Sequence, residues 1–347
     1  MDKKITVGIT IGDYNGIGPE IIVKALSNQW LFEKIIPVVY SPINILNYYN
    51  NHISNSSFLY SKITNTSNIK PNRVNVVNIN SNEQKIEPGK IRADAGELAY
   101  QSIKLATDDL SKNALDVIIT SPINKKTIQN HSFNFSGHTE FFTEMSNASN
   151  SLMFMIHDQL KVGLVTNHLP IHQISENLSV EKIINKISIM NHSLINDFNI
   201  QKPKIAIMGL NPHNGDDGHI GQEEETIIIP AIKQAKENGF FVFGPFAADG
   251  FFANNHYQHF DAILAMYHDQ GLIPFKTLSN NEGVNYTAGL PIIRTSPDHG
   301  TAYDIAGKNI ADANSLINSI FLAKNIFNQR LENKNLKQNP LNSLIPT

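Results

Sequence analysis

The chain has 347 residues, of which 41% are hydrophobic and 17% charged, and its formal net charge is −3. This composition supports a large core and excludes wholesale disorder, and the near-neutral charge offers no electrostatic footprint for nucleic acid. Cysteine is absent, which excludes disulfides, thiolate metal sites and cysteine nucleophiles. No apolar run has the length of a membrane span or of a signal-peptide core, so we expect a cytoplasmic protein that binds neither nucleic acid nor membrane.

Short apolar runs alternate with amphipathic segments along the chain. The runs predict strands at 5–11, 35–40, 74–79, 115–120, 152–156, 162–166, 204–210, 240–243, 262–267 and 291–295. Helices are predicted from Pro19, from Ser41-Pro42, from a capping box at Asp94 and Glu97, and over 180–198, 223–238 and 312–329. This alternation indicates an α/β protein with a largely parallel sheet, which binds ligands beyond the carboxyl ends of its strands.

Three of the predicted strands run into polar clusters that each contain one histidine, namely His168, His213 and His268. Their sequence separations are too wide for a zinc finger, but three separate strands can deliver three imidazoles to one edge of a sheet. Such a set binds a divalent ion and leaves positions open for a substrate. The alternative is that each is a lone loop histidine, and their shared position after buried strands favours the metal site.

A second group of residues suits an anionic ligand. The segment 136–140, Ser-Gly-His-Thr-Glu, precedes an apolar run, and such a cluster at a helix start offers N–H groups and hydroxyls to a phosphate. Lys276, Asn285 and Arg294 follow in a region rich in glycine and proline, and Lys and Arg are the usual partners of phosphate and carboxylate. Both cations could also be solvated surface charges, but Arg294 ends an apolar run and is expected in a cleft.

Familiar nucleotide motifs are missing from the sequence. The glycine-rich turn at 12–20 lacks the third glycine of a Rossmann fingerprint, because Ile21 stands in its place. Neither a P-loop nor a Gly-x-Ser-x-Gly elbow is present. A dehydrogenase assignment therefore cannot rest on a generic fingerprint.

Five motifs in a fixed order resemble the 4-hydroxythreonine-4-phosphate dehydrogenase family, the NAD-dependent enzymes of pyridoxal phosphate biosynthesis. They lie at 12–21, 136–140, 209–213, 267–272 and 294–302. The resemblance runs from about residue 5 to residue 328 and implies an isocitrate/isopropylmalate dehydrogenase-like α/β fold, with two α/β domains, an interdomain cleft and no Rossmann fingerprint. We place the first domain at 1–135 plus 301–347, and the second, with the metal ligands and dimer contacts, at 136–300.

The resemblance also implies the site. It places a divalent metal on His168, His213 and His268, and makes these three histidines and Lys276 the catalytic residues. Its substrate contacts correspond to His138, Thr139, Lys276, Asn285 and Arg294. It further implies NAD or NADP, one zinc, magnesium or cobalt ion per subunit, and a homodimer with shared active sites. Three imidazoles favour zinc or cobalt over magnesium.

The implied reaction is oxidation of 4-phosphooxy-L-threonine at C3, followed by decarboxylation to 3-amino-2-oxopropyl phosphate. Asp249 or Asp269 is a candidate to orient a metal-bound histidine or to relay a proton. The nearest alternative is a dehydrogenase of 4-phosphoerythronate or 4-phosphothreonate, which carry a 2-hydroxyl instead of a 2-amino group. More distant alternatives are a metal-dependent lyase or aldolase without nicotinamide and a non-catalytic phosphometabolite-binding protein. The sequence identifies no nucleotide contacts.

Overall fold

The structure, a computed structural model, describes residues 4–53, 56–79, 84–129 and 133–338. Its strands are β1 (Ile5–Thr10), β2 (Ile35–Tyr40), β3 (Tyr60–Ile63), β4 (Val74–Val77), β5 (Val117–Thr120), β6 (Leu152–His157), β7 (Leu160–Leu164), β8 (Ile205–Met208), β9 (Val242–Phe246), β10 (Ala262–Ala265), β11 (Val284–Ala288) and β12 (Arg294–Pro297). Its helices are α1 (Gly18–Leu26), α2 (Ile43–His52), α3 (Ala93–Ser111), α4 (Lys125–Ile128), α5 (His138–Met145), α6 (Val180–Asn196), α7 (Ile229–Glu237), α8 (Ala248–Ala253), α9 (His268–Ser279) and α10 (Asn314–Gln338).

All of these strands join one sheet, in the order β3-β4-β2-β1-β5-β12-β11-β6-β7-β10-β8-β9. Most neighbours are parallel, and the antiparallel pairs are β11 with β12, β11 with β6, and β6 with β7. The predicted α/β class with a largely parallel sheet is therefore confirmed. The sheet runs unbroken through both predicted domains, joined by the pairing of β12 with β5, and the predicted domain boundaries stay a prediction.

Each of the ten predicted strands overlaps an observed one, and the sequence reading missed β3 and β11. Strand β11, Val-Asn-Tyr-Thr-Ala, carries polar residues in the sheet interior, so it shows no apolar run. The last predicted strand starts late, at Arg294, and the chain enters it from a turn in which Gly289 has a φ of +88°. That left-handed backbone suits glycine and ends the preceding strand.

The capping box predicted at Asp94 and Glu97 is wrong. Helix α3 starts at Ala93, after Arg92, and Asp94 lies inside the first turn. The Asp94 carboxylate accepts two hydrogen bonds from the Arg92 guanidinium, both of 2.9 Å. The Asp94 carboxylate therefore binds Arg92 instead of the backbone N–H of Glu97, which a capping box would require.

Buried apolar side chains cover both faces of the sheet. The main core packs β1, β2 and β5 against α1, α3 and α10. In a smaller cluster, Met153, Met155 and Val162 of the sheet pack with Leu272 and Phe275 of α9. Packing α9 on this cluster places the start of the helix beside the carboxyl ends of β7 and β10. Among the described residues, no helix is long and apolar enough to cross a bilayer.

Candidate functional site

A polar cleft of about 260 Å³ opens at the middle of the sheet. Its walls come from the end of β5, the starts of α4 and α5, strands β6, β11 and β12, helix α9 and the loop 298–300. Seven of the eight predicted site residues line it: His138, Thr139, His168, His268, Lys276, Asn285 and Arg294. The topology therefore brings together side chains that lie between residues 138 and 294, a span of nearly half of the chain.

Arg294 is the first residue of β12 and is only 2% exposed. Its Nε and Nη2 donate to Thr120 Oγ1 at 3.0 and 2.6 Å, and its Nη1 donates to Thr287 Oγ1 at 3.1 Å. Burial lowers the pKa of the guanidinium to about 9, and the negative charge of Glu140 opposes that shift. Within the described part of the chain no carboxylate forms an ion pair with it, so the cleft contains a buried positive charge that an anion would neutralise.

His138 begins α5 and its ring stacks on Phe142, with ring centroids 6.4 Å apart. Burial, together with the positive charges of Arg294 and Lys125, holds the pKa of His138 well below its usual value. The imidazole is therefore neutral at pH 7. Its Nε2 is buried and has no hydrogen-bond partner among the residues that the structure describes, so it is free for a ligand.

Two further imidazoles lie side by side in the cleft. The rings of His168 and His268 have centroids 5.7 Å apart. His268 Nδ1 lies 2.7 Å from an Asp269 carboxylate oxygen, and His168 Nδ1 lies 3.9 Å from Glu140 Oε1. Burial pushes the pKa of Glu140 upward, but the neighbouring His168 and Lys125 and a backbone N–H outweigh it, so the net shift is downward. Glu140 thus stays ionised beside His168.

Lys276, Asn285 and the loop at Asp298 and His299 also line the cleft. Lys276 Nζ donates to the Asp298 carbonyl at 3.0 Å. Burial raises the pKa of the Asp298 carboxyl and lowers that of the His299 ring. Asn285 Oδ1, Asp298 Oδ2 and His299 Nε2 are buried without a hydrogen-bond partner in the described ranges. Polar atoms left in this state are typical of a site completed by a ligand.

His213 is the predicted site residue that does not line the central cleft. It lies in a second cleft of about 690 Å³, with Asp249, Tyr267, Asp269 and Ile273 among its lining residues. Helix α9 separates the two clefts, since His268, Leu272 and Lys276 face the first whereas Asp269, Ile273 and Thr277 face the second. The His213 turn is left-handed, with a φ of +53°.

The three predicted metal ligands therefore do not meet within one chain. Two imidazoles, His168 and His268, are adjacent and have the donor chemistry that zinc or cobalt prefers. In the described ranges 4–53, 56–79, 84–129 and 133–338, no group of three His, Cys, Asp or Glu side chains is placed to hold an ion. In the described part of one chain, His168 and His268 are therefore two adjacent candidate ligands without a third.

Sequence reasoning passed over several residues of the cleft. Thr120 and Ser121 follow the apolar run of β5, and Lys125 lies just beyond them. The rule that ligands bind at the carboxyl ends of parallel strands would have selected this segment, had it been applied to every strand. For Thr287 we find no comparable local signal, because β11 has no apolar run, whereas Asp298 lies within the motif at 294–302 but is not among the predicted site residues.

The fold and the cleft define the class of the protein as an α/β enzyme for a small anionic substrate. Residues 33–323 match the family described as "Pyridoxal phosphate biosynthetic protein PdxA". A 4-hydroxythreonine-4-phosphate dehydrogenase of Bacteroides thetaiotaomicron is 44% identical over 98% of this chain and 93% of its own length. A D-threonate 4-phosphate dehydrogenase of Salmonella typhimurium is 37% identical over 93% and 99%.

A solved structure shows the same fold. The 4-hydroxythreonine-4-phosphate dehydrogenase of Klebsiella pneumoniae superposes with a TM-score of 0.80 at 35% identity, covering 93% of this chain and 98% of that one. The chain belongs to the PdxA family. The predicted family, fold class and enzyme class, an oxidoreductase, are confirmed. A nicotinamide cofactor and a small phosphorylated substrate follow from the family.

Proposed function

We propose that the chain oxidises 4-phosphooxy-L-threonine at C3 with NAD or NADP, and that the β-keto acid so formed loses CO₂ to give 3-amino-2-oxopropyl phosphate. The observation that carries this proposal is the buried, unneutralised Arg294 guanidinium in a cleft of substrate size. A doubly anionic substrate offsets the cost of burying that charge. Relatives of 44% and 39% identity that bear the name of this activity support the assignment.

The roles of the side chains follow from their states. Arg294 and Lys276 bind the phosphate and carboxylate oxygens, and Asn285 and Thr139 add neutral polar contacts. The neutral His138 offers Nε2 without adding a further positive charge. Hydride transfer is chemistry of the nicotinamide, and the protein contributes alignment and the positive charges of Arg294 and Lys276.

We place one divalent ion, zinc, cobalt or magnesium, on His168, His268 and a third ligand, His213. When bound, the ion supplies Lewis-acid activation of the substrate hydroxyl. Asp269 engages His268 Nδ1, which leaves Nε2 of that ring as the ligand atom. We thus retain His168, His213 and His268, with Lys276, as the proposed catalytic set.

We further propose a cytoplasmic homodimer in which each active site combines residues of both subunits. The separation of His213 from the other two histidines by α9 supports this arrangement. The second cleft, which contains His213, also exposes apolar side chains of α9, with Ile273 at 65% and Leu278 at 37% exposure. An apolar surface of this kind is typical of a subunit interface.

The direct test is an assay of NAD(P) reduction with 4-phosphooxy-L-threonine and zinc, cobalt or magnesium. Reduction is followed at about 340 nm, the absorption band of the reduced nicotinamide. We expect turnover and CO₂ release in equal amounts. Absence of turnover with every metal, for a protein that binds the nicotinamide, would remove this substrate.

A second candidate substrate is D-threonate 4-phosphate, because the Salmonella relative that bears this activity in its name is 37% identical over nearly its whole length. The two substrates differ in having an amino or a hydroxyl group at C2. Paired measurements of kcat/KM on both compounds separate the two functions, and we expect the amino acid to be the better substrate. A preference for the hydroxy acid of about tenfold or more would reverse the assignment.

A further inference from the structure

We propose that Thr120 and Thr287 are positioning residues, which hold the Arg294 guanidinium with uncharged hydroxyls so that its two remaining N–H groups bind one oxyanion of the substrate. This inference rests on the proposed function for the identity of the substrate. The binding of an oxyanion by Arg294 is proposed independently of that function.

The hydrogen bonds of Arg294 leave a defined remainder. A guanidinium has five N–H donors. Thr120 Oγ1 accepts hydrogen bonds from the Nε–H group at 3.0 Å and from one N–H of Nη2 at 2.6 Å. Thr287 Oγ1 accepts one from Nη1 at 3.1 Å. One donor on Nη1 and one on Nη2 are left, and the residue lines the cleft. Two donors on adjacent nitrogens are the arrangement with which arginine binds two oxygens of a phosphate or carboxylate.

The sheet order explains why these two threonines reach the same arginine. Strand β12 lies between β5 and β11, so Thr120 at the end of β5 and Thr287 in β11 flank Arg294 from opposite sides. Both threonines are fully buried, at 0% exposure, and β-branched side chains have few rotamers in a sheet. The guanidinium is therefore held by two stiff partners in the central strands.

The choice of hydroxyls over carboxylates determines what the arginine can do. An aspartate or glutamate in this position would neutralise the guanidinium and compete with an incoming anion. Hydroxyl oxygens orient the group and leave its charge intact. Elsewhere in the same chain Arg330 is held by Asp197 at 2.7 Å, and that residue does not line the central cleft. We thus assign a binding role to Arg294 and a structural role to Arg330.

The test compares Thr120→Val, Thr287→Val and Thr120→Ser with a matched control, Thr295→Val. Thr295 is also fully buried and lies next to Arg294, but its hydroxyl donates to the Ser319 carbonyl instead. Isothermal titration with inorganic phosphate, and separately with L-threonine, measures oxyanion binding without turnover. Steady-state kinetics with the phosphorylated substrate then give KM and kcat.

We expect Thr120→Val to weaken binding of the oxyanion and to raise KM by about 10- to 100-fold, the size expected for hydrogen bonds that involve a charged group, with kcat within about threefold. Thr287→Val, which loses one bond instead of two, should have a smaller effect. Thr120→Ser should restore most of the affinity, and Thr295→Val should leave KM and oxyanion affinity unchanged. A loss confined to phosphate assigns Arg294 to the phosphate, and a loss confined to L-threonine assigns it to the carboxylate.

Three results overturn the proposal: unchanged oxyanion affinity in both valine variants, an equal loss in Thr295→Val, or no oxyanion binding by the wild-type protein. If Thr120→Val does not fold, Thr287→Val and Thr120→Ser test the proposal instead. Wild-type oxyanion affinity in Thr287→Val would reject the positioning role of the two threonines. An affinity in Thr120→Ser as low as that of an Arg294→Met variant would reject it too. A wild-type protein that binds phosphate but does not turn over 4-phosphooxy-L-threonine would reject the proposed substrate. The positioning role of Thr120 and Thr287 would be unaffected by that result.

Discussion

Several side chains of the central cleft are buried with fewer polar partners than their chemistry allows. Arg294 has no ion pair in the described residues, and Nε2 of His138 and Oδ1 of Asn285 have no hydrogen bond. Such groups reduce the stability of the free protein. A ligand that supplies the missing partners recovers this free energy, so the cost in stability and the capacity to bind have the same origin.

Replacing Arg294 by Met should therefore separate stability from binding. We expect Arg294→Met to raise the free energy of unfolding by about 1 kcal/mol, because a buried unpaired charge is removed, and to raise KM by about 100-fold or more. Thermal denaturation of the ligand-free protein and steady-state kinetics measure the two effects. Arg330→Met is the matched control and should lower stability, because it leaves the buried Asp197 unpaired. Loss of stability in both variants would contradict this account.

Lys186 on α6 gives a prediction for the pH dependence of stability. Burial, with a smaller contribution from Lys182, lowers its pKa to about 8, against the opposing effect of Glu140. The folded state therefore binds fewer protons than the unfolded state above pH 8, and stability from this group rises with pH until the unfolded pKa, roughly 10.5, is passed.

We expect Lys186→Met to be more stable than the wild type at pH 7, by about 1 to 2 kcal/mol, with the difference shrinking toward pH 10. Urea denaturation across this range measures it. The exposed Lys233, changed to Met in the same way, serves as the control and should show no such trend. A difference that does not vary with pH would exclude titration of Lys186 as its cause.

At the scale of elements, helix α10 is joined to α6 and β11 by a small buried network. The Asp197 carboxylate accepts from Arg330 Nε, Ser193 Oγ and Tyr286 OH, each at 2.7 Å. Arg330 also donates to the Leu290 carbonyl at 3.1 Å, in the turn before β12. The network therefore holds the turn from which the chain enters the strand that carries Arg294.

Breaking this network should be costly. We expect Asp197→Asn to lower the free energy of unfolding by about 3 kcal/mol, because it removes one charge of a buried pair and leaves the other uncompensated. Denaturant titration measures the loss. Lys90→Met breaks a mainly exposed ion pair with Glu87 and should change stability by less than about 1 kcal/mol. A similar small effect in both variants would show that the Asp197 network contributes little.

Helix α9 shows how much of an element can be predicted. The sequence predicts a polar cluster with His268 after an apolar strand, but it predicts no helix there. The sequence also does not show which residues of α9 face which cleft, since His268 and Asp269 are adjacent in sequence but face different clefts. Successive residues of a helix point about 100° apart, and the packing of α9 on the sheet decides which direction meets which cleft.

At the scale of the whole molecule, the proposed shared sites predict complementation between inactive subunits. We expect His168→Ala and His213→Ala homodimers each to be inactive. A mixed dimer should contain one site with both substitutions and one with neither, so random mixing in equal amounts restores about a quarter of wild-type activity. The measurement is activity after the two variants are co-refolded and compared with each variant refolded alone.

Mixing His168→Ala with His268→Ala is the matched control. Both residues belong to the same cleft of one chain, so each site of that mixed dimer lacks one ligand and activity should not return. Restoration in the control, or none in the His168→Ala and His213→Ala mixture, would contradict a site that takes His213 from the second subunit.

The residue pattern is enough to predict the α/β class, ten apolar strands, the absence of thiol chemistry, the family and seven residues of the central cleft. These properties are local, since they depend on the spacing of apolar residues and on short motifs. It could not determine that Thr120 and Thr287 meet Arg294, because that contact depends on β12 lying between β5 and β11.

The position of His213 depends on tertiary packing and not on strand order. The histidines follow β7, β8 and β10, which are neighbours in the order β7-β10-β8, so strand order alone would bring all three together. A left-handed turn at His213 and the packing of α9 instead place that residue in the second cleft. Contacts of this kind join distant parts of the chain through backbone geometry and packing, and no local pattern of residues encodes them.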